Sequence, residues 1–369
     1  MNVPLLDLKA QYDDILDDIR QAMEKVFSAH SYILGPEVKE IEKAIAEYCG
    51  VKRAIGCASG TDALILSLKA LDIMPGEEVI TTPFTFFATA GSIHRVDGKP
   101  VFVDIDPRTF NIDPEKIEAA ITDKTRAIMP VHLFGQTAEM DKIRSIADKY
   151  GLKIIEDTAQ AMGAKFKGKP AGYFGDIATL SFFPSKNLGA MGDAGMCLTD
   201  NDELADIITL LRTHGEHPKY IHKWVGLNSR LDTLQAAVLL VKLPYLKEWS
   251  GQRQENARYY YEKMADIKEI ELPYIHPATE SIFNQFSLLA DRRDELLAHL
   301  RKNNIGCNIY YPKPLHLQEC FSYLNYKKGD LPISENVTKR IISIPIYSEL
   351  TNEQQDYVIT SIRQFYQNS

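Results

Sequence analysis

Lys186 stands where a lysine can do covalent chemistry. It lies in Ala178-Thr-Leu-Ser181-Phe-Phe-Pro-Ser-Lys186-Asn-Leu-Gly189-Ala-Met-Gly192-Asp-Ala-Gly195, where an apolar strand ends at Ser181 and the lysine follows in a glycine-rich loop. A lysine fixed beside a sheet edge is partly desolvated. Its pKa falls, and the neutral amine becomes a nucleophile toward carbonyl groups. The competing reading is a solvated surface lysine, the common fate of that residue. Upstream, Leu152-Lys-Ile-Ile-Glu-Asp157-Thr-Ala-Gln160 ends an apolar strand in an acidic pair. Side chains at strand C-termini of a parallel sheet reach the ligand crevice, and Asp157 there can hold the protonated nitrogen of a bound heterocycle. An Asp capping the next helix is the alternative.

Two further segments complete a chemical set. In Gly56-Cys-Ala-Ser59-Gly60-Thr61-Asp62-Ala-Leu a strand runs into a helix start, whose free N–H groups and dipole favour a phosphate. A well-capped helix without a ligand would look the same. In Thr82-Pro-Phe84-Thr-Phe86-Phe87-Ala three aromatics follow a strand. One of them can stack flat on a cofactor ring, although core packing is the usual role of any single aromatic. A Schiff-base lysine, an acidic partner for a pyridine nitrogen, a phosphate cup and a stacking ring are the parts that a pyridoxal-phosphate (PLP) enzyme needs.

These residues need a frame. Strands are predicted at Ala54–Ala58, Glu78–Thr81, Pro100–Asp104, Arg126–Val131, Lys153–Glu156, Ala178–Phe182 and Gly195–Leu198. Helices are predicted between them at Thr61–Leu71, Pro114–Ala120 and Met140–Tyr150. Such alternation predicts an α/β fold with a large, mostly parallel sheet. Helical patterns at Asp14–Phe27 and Pro36–Tyr48 precede it. From about residue 245 the pattern changes to a long helix, Tyr245–Asp266, then extended segments, a helix near Arg292–Asn303 and a last helix from Asn352. The expected division is a large domain over 1–245 and a smaller α+β domain over 246–369.

Composition narrows the classes. The net charge of −8 speaks against nucleic-acid binding, which needs a basic face. No apolar run approaches the roughly 20 residues of a membrane helix. The five cysteines are scattered without zinc spacing, so no metal site is expected and a reducing, cytoplasmic location is.

The ordered motifs also carry a resemblance. Pro4-Leu-Leu-Asp-Leu8, Gly35-Pro-Glu37, Ser59-Gly-Thr-Asp-Ala63, His132-Leu-Phe-Gly-Gln136, Glu156-Asp-Thr-Ala-Gln-Ala161, Ser181-Phe-Phe-Pro-Ser-Lys-Asn-Leu-Gly189, Gly226-Leu-Asn-Ser-Arg-Leu-Asp232 and Tyr310-Tyr-Pro-Lys-Pro-Leu-His-Leu-Gln318 span nearly the whole chain. In these the chain resembles the DegT/DnrJ/StrS sugar aminotransferases, fold type I PLP enzymes.

The resemblance implies that Lys186 carries the cofactor and shuttles the proton, that Asp157 pairs with the pyridine nitrogen, and that Gln160 contacts the ring hydroxyl. Gly60, Thr61 and Ser181 would hold the phosphate, and Phe86 would stack on the ring, with Phe84 as the second choice. Asn228 would reach the cofactor phosphate of a neighbouring subunit, which makes an active homodimer. Arg230 and His316 would handle the anionic part of the substrate. The implied reaction moves an amino group from L-glutamate to a keto group of a nucleotide-linked sugar in amino-sugar or polysaccharide biosynthesis. Pro-Ser-Lys-Asn-Leu-Gly and His-Leu-Phe-Gly-Gln are similar to members acting at C-3, with amination at C-4, whose members tend to carry Lys-x-x-Thr-Thr-Gly-Glu, as the alternative. The UDP-linked N-acetyl 3-keto uronic acid branch is favoured, with the dTDP-linked 3-keto-6-deoxyhexose branch beside it. Members with histidine in place of the lysine are dehydratases, and regulatory proteins on the same scaffold are the non-enzyme alternative. One departure is Ala194, where relatives carry glycine; a modest local adjustment is expected.

Overall fold

The computed structural model describes residues 1–367. Its centre is a seven-stranded sheet in the order Arg53–Cys57, Gly195–Thr199, Ile177–Ser181, Lys153–Asp157, Thr125–Ile128, Glu78–Thr81, Lys99–Phe102. Only Gly195–Thr199 runs against the rest. The apolar runs noted in the sequence become strands buried on both faces, as a helix-covered parallel sheet requires. Because six strands share one direction, Cys57, Asp157 and Ser181 all end at the same edge. The register brings Ser181 and Cys57 opposite Gly195, and Asp157 opposite Thr179.

A second core gathers around an antiparallel sheet of Ile270–Glu271, Phe286–Ala290 and Ile341–Ile344. The helices Leu246–Met264, Arg293–Lys302 and Asn352–Gln367 cover it through Tyr260, Met264, Leu296, Leu300, Val358 and Ile362. Val3 belongs to this core: it pairs with Ile305, so the N-terminal segment packs on the C-terminal unit. The chain crosses back as well, since Thr279–Glu280 adds to a small sheet with Lys165–Phe166 and Lys169–Pro170.

Two differences from the sequence reading have local causes. Pro114–Ala120 forms two short 3-10 turns, Pro114–Lys116 and Glu118–Ala120, in place of a helix. So short a run closes too few i to i−4 bonds to repay nucleation. The helix Ala88–Arg95 went unread because Ala88 to Ile93 are all buried, which leaves no polar stripe to mark a period. Among the described residues no helix is long and apolar enough to cross a membrane, and no cluster of three His, Cys, Asp or Glu could hold a metal ion.

Candidate active site

The loop after the Ile177–Ser181 strand is folded tightly on itself. Phe182 N–H donates to the Ala194 carbonyl at 2.8 Å, Ala190 N–H to the Phe182 carbonyl at 2.7 Å, and Lys186 N–H to the Phe183 carbonyl at 2.8 Å. Buried Asn187 pins the next position, donating to the Ile282 carbonyl at 3.1 Å and accepting from Asn284 Nδ2 at 2.7 Å. Ala194, the departure from the family pattern, is buried and packs its methyl into the apolar cluster of Leu180, Leu188 and Leu198.

The Lys186 side-chain amine has no hydrogen-bond or ion-pair partner among the described residues. Burial lowers its pKa to about 8, while the Asp157 charge partly opposes the fall. The amine is thereby readied for a carbonyl carbon. Asp157, 5% exposed, is the charged group facing it. Burial raises the Asp157 pKa above the ordinary carboxylate value. Opposing this are the Thr89 hydroxyl at 2.7 Å from Oδ2, the Ala159 N–H at 3.2 Å from Oδ1, and the charges of Lys186 and His132.

The helix Gly60–Ala70 opens at the same edge. Ser59 caps it, its Oγ accepting from Asp62 N–H at 3.1 Å, and Ala63 N–H donates to the Ser59 carbonyl at 2.9 Å. The N–H groups of Gly60 and Thr61 then have no acceptor among the described residues. A Cβ at Gly60 would meet Ser181 Cβ at 2.7 Å, and one at Gly195 would collide with the Ser59 carbonyl. Bare glycines are therefore what let the strand ends and the helix start close on one another, with Ser181 packed against Gly60.

The aromatics divide cleanly. Phe84 has no exposed surface and meets Phe110, Phe134 and Tyr311 edge-on, so it is a core residue. Phe86 is 57% exposed and leans on Tyr311, which leaves a ring face free for stacking. Gln160 is buried at the end of the Asp157 segment. Its Oε1 accepts from Phe134 N–H at 2.8 Å, and its Nε2 donates to the Tyr311 hydroxyl at 3.2 Å.

Three expected residues lie apart from this set of contacts. Asn228 is exposed and Arg230 half-buried, and neither side chain has a partner among the described residues. Ser229 between them is buried and accepts from Ala58 N–H at 3.3 Å, which ties this segment to the turn before Gly60. His316 is not brought to the pocket surface. Its imidazole is fully buried, with Nε2 3.1 Å from Glu335 Oε1 and its ring against Tyr326. Thr89 and Tyr311 are the residues that sequence reasoning missed. Thr89 belongs to the unread helix, and Tyr311 sits in a quoted motif in which nothing about its type gave it a role.

Known proteins resemble this chain in sequence and in fold. The chain is 50% identical over 376 residues to a pleiotropic regulatory protein of Geobacillus stearothermophilus, covering 100% of each. It is 42% identical to the UDP-N-acetyl-3-dehydro-alpha-D-glucosamine 3-aminotransferase of Acidithiobacillus ferrooxidans, covering 98% of this chain and 97% of that one. The solved structure of NtdA from Bacillus subtilis with bound cofactor PMP superposes with a TM-score of 0.93 at 33% identity, covering 99% of this chain and 85% of that one. Residues 13–363 match the DegT/DnrJ/EryC1/StrS aminotransferase family, and the chain belongs to that family.

Proposed function

We propose that this protein is a PLP-dependent transaminase that moves an amino group from L-glutamate to the C-3 keto group of a nucleotide-linked sugar. The observation that carries the reading is the desolvated Lys186 facing buried Asp157, at the sheet edge where Gly60, Thr61 and Ser181 form an anion cup. These residues fit the cofactor: the cup would take its phosphate, Asp157 its ring nitrogen, Gln160 its ring oxygen and Phe86 its face. When bound, PLP supplies an electron sink that stabilises negative charge on the carbon losing a proton.

The protein's own part is positional and acid–base. Asp157, as a carboxylate, keeps the ring nitrogen protonated. Lys186 Nζ, neutral above its lowered pKa, would take the proton from the donor's α-carbon and deliver it to the cofactor carbon on the same face. Asn228 and Arg230, unpartnered within one chain, support a second copy completing the site, with Asn228 at the neighbour's phosphate and Arg230 at the substrate's anionic part. His316 would then act on the substrate side through the segment that it anchors to Glu335.

A UDP-linked N-acetyl 3-keto uronic acid is the favoured acceptor, supported by a 42% identical relative named as a UDP-2-acetamido-2-deoxy-3-oxo-D-glucuronate aminotransferase; a dTDP-linked 3-keto-6-deoxyhexose is the neighbouring choice. Purified protein would be loaded with PLP, converted with L-glutamate and offered a panel of UDP- and dTDP-keto sugars. Return of the original cofactor absorbance with one sugar identifies the acceptor, and no spectral change with glutamate sinks the reading. The name of the 50% identical relative favours a second reading, a regulatory protein on this scaffold. That reading predicts ligand binding without release of 2-oxoglutarate.

A further inference from the structure

The Gln160 amide has only one consistent orientation. Phe134 N–H can only donate, so the group 2.8 Å from it is the oxygen Oε1. Nε2 therefore faces Tyr311 and can only donate, so the Tyr311 hydroxyl accepts at 3.2 Å. The hydrogen of that hydroxyl is left over, and no acceptor for it exists among the described residues. The ring is not free to turn away: it packs edge-on against Phe84, with centroids 6.1 Å apart, and tilts at 44° against Phe86. Burial, with the nearby Asp157 charge, pushes the Tyr311 pKa upward, so the group remains a protonated donor. A donor held beside Asp157, Gln160 and the free face of Phe86, with nothing to donate to, is half of a hydrogen bond.

We propose that Tyr311 is a further binding residue of this site, donating its free O–H to an anionic oxygen bound at the Gln160 edge. The inference rests on the cofactor reading above. Two oxygens share the required chemistry: the ring oxygen of the cofactor, which carries negative charge at neutral pH, and a carboxylate or phosphate oxygen of a substrate. In the first case Tyr311 and Gln160 form a two-donor cradle. In the second, Tyr311 selects for the acceptor sugar or the amine donor.

Tyr311→Phe removes the O–H and keeps the ring, so packing against Phe84 and Phe86 persists. Three quantities would be compared with the unchanged protein: PMP affinity of the cofactor-free protein, the pH midpoint of the bound PLP absorbance band, and KM for glutamate and for the keto sugar. A PMP affinity weaker by about tenfold or more, with a displaced midpoint, assigns the oxygen to the cofactor. Unchanged cofactor values with a KM raised about tenfold for one substrate assign it to that substrate. Normal values in all three overturn the proposal while leaving the cofactor reading intact. Failure of the unchanged protein to bind PMP overturns the cofactor reading, and this inference with it.

Discussion

Thr89 Oγ1 donates to Asp157 Oδ2 at 2.7 Å, with Thr89 wholly buried and Asp157 nearly so. The Thr85 hydroxyl, in the bend that precedes the helix, lies 3.1 Å from the Thr89 hydroxyl. A carboxylate taken out of water drifts toward its neutral form, and a neutral Asp157 could not hold a pyridinium. Thr89 counters that drift, and the short Ala88–Arg95 helix is what delivers it beneath the sheet edge.

Thr89→Val is therefore a test with little change of shape. A hydrogen bond to a charged group contributes about 1.5–3 kcal/mol, so turnover is expected to fall at least about tenfold with the fold retained. Steady-state kinetics together with circular dichroism check this. Wild-type turnover would show that Asp157 holds its charge without Thr89.

Asp157→Asn keeps the volume and removes the charge that protonates the ring nitrogen. Turnover is expected to drop about a hundredfold or more, the scale seen when a preorganised electrostatic contact is deleted. PMP binding should survive through the Gly60–Thr61–Ser181 cup. Near-normal turnover would reduce Asp157 to a residue that orders the turn at Ala159.

How much of this was legible in the sequence follows from what each signal measures. The strands around the site were readable because Ile-rich and Val-rich runs buried on both faces leave continuous apolar stretches, as at Lys153–Asp157. The helix Met140–Tyr150 was readable to its ends because only Met140, Ile143 and Ala147 of it are buried, a clear stripe. Thr89 was invisible because its helix has no such stripe. Burial also lay beyond reach: Phe84 and Phe86 are the same residue type two positions apart, and only packing makes one core and the other available. His316 illustrates the converse, since its motif was legible but its enclosure by Glu335 and Tyr326 was not.

The lowered pKa of Lys186 predicts a pH profile. Capture of PLP by the cofactor-free protein requires the neutral amine, so its rate should climb with pH and level off above about 8, against 10.5 for an ordinary lysine. Stopped-flow absorbance measures it. Stability moves in the same direction. Between about 8 and 10.5 the unfolded chain binds more protons than the folded one, so the cofactor-free protein should gain stability as pH rises through that window. Lys186→Met should remove this part of the gain. The part due to Lys242, also lowered to about 8 by burial, should remain. A capture rate still climbing past pH 10 would mean that Lys186 is solvated.

The last prediction concerns the second chain. Asn228 is exposed and Arg230 half-buried, their side chains without partners among the described residues, while Ser229 between them is locked to Ala58. A segment whose backbone is fixed and whose polar side chains point at nothing is suited to a neighbouring copy, and a two-fold axis would build two equivalent shared sites. Lys186→Ala alone should be inactive, because the amine that moves the proton is gone. Asn228→Asp alone should lose most activity, because a carboxylate would face the cofactor phosphate. In a mixed dimer of the two variants, one site combines an intact Lys186 from one chain with an intact Asn228 from the other. Co-expression with two different tags, purification through both, and assay should recover up to about half of the wild-type rate per dimer, since one of two equivalent sites is whole. Native mass measurement fixes the amount of mixed dimer. Mixed dimers that form in quantity and stay inactive would place Asn228 in the same chain's site and remove the argument for sharing.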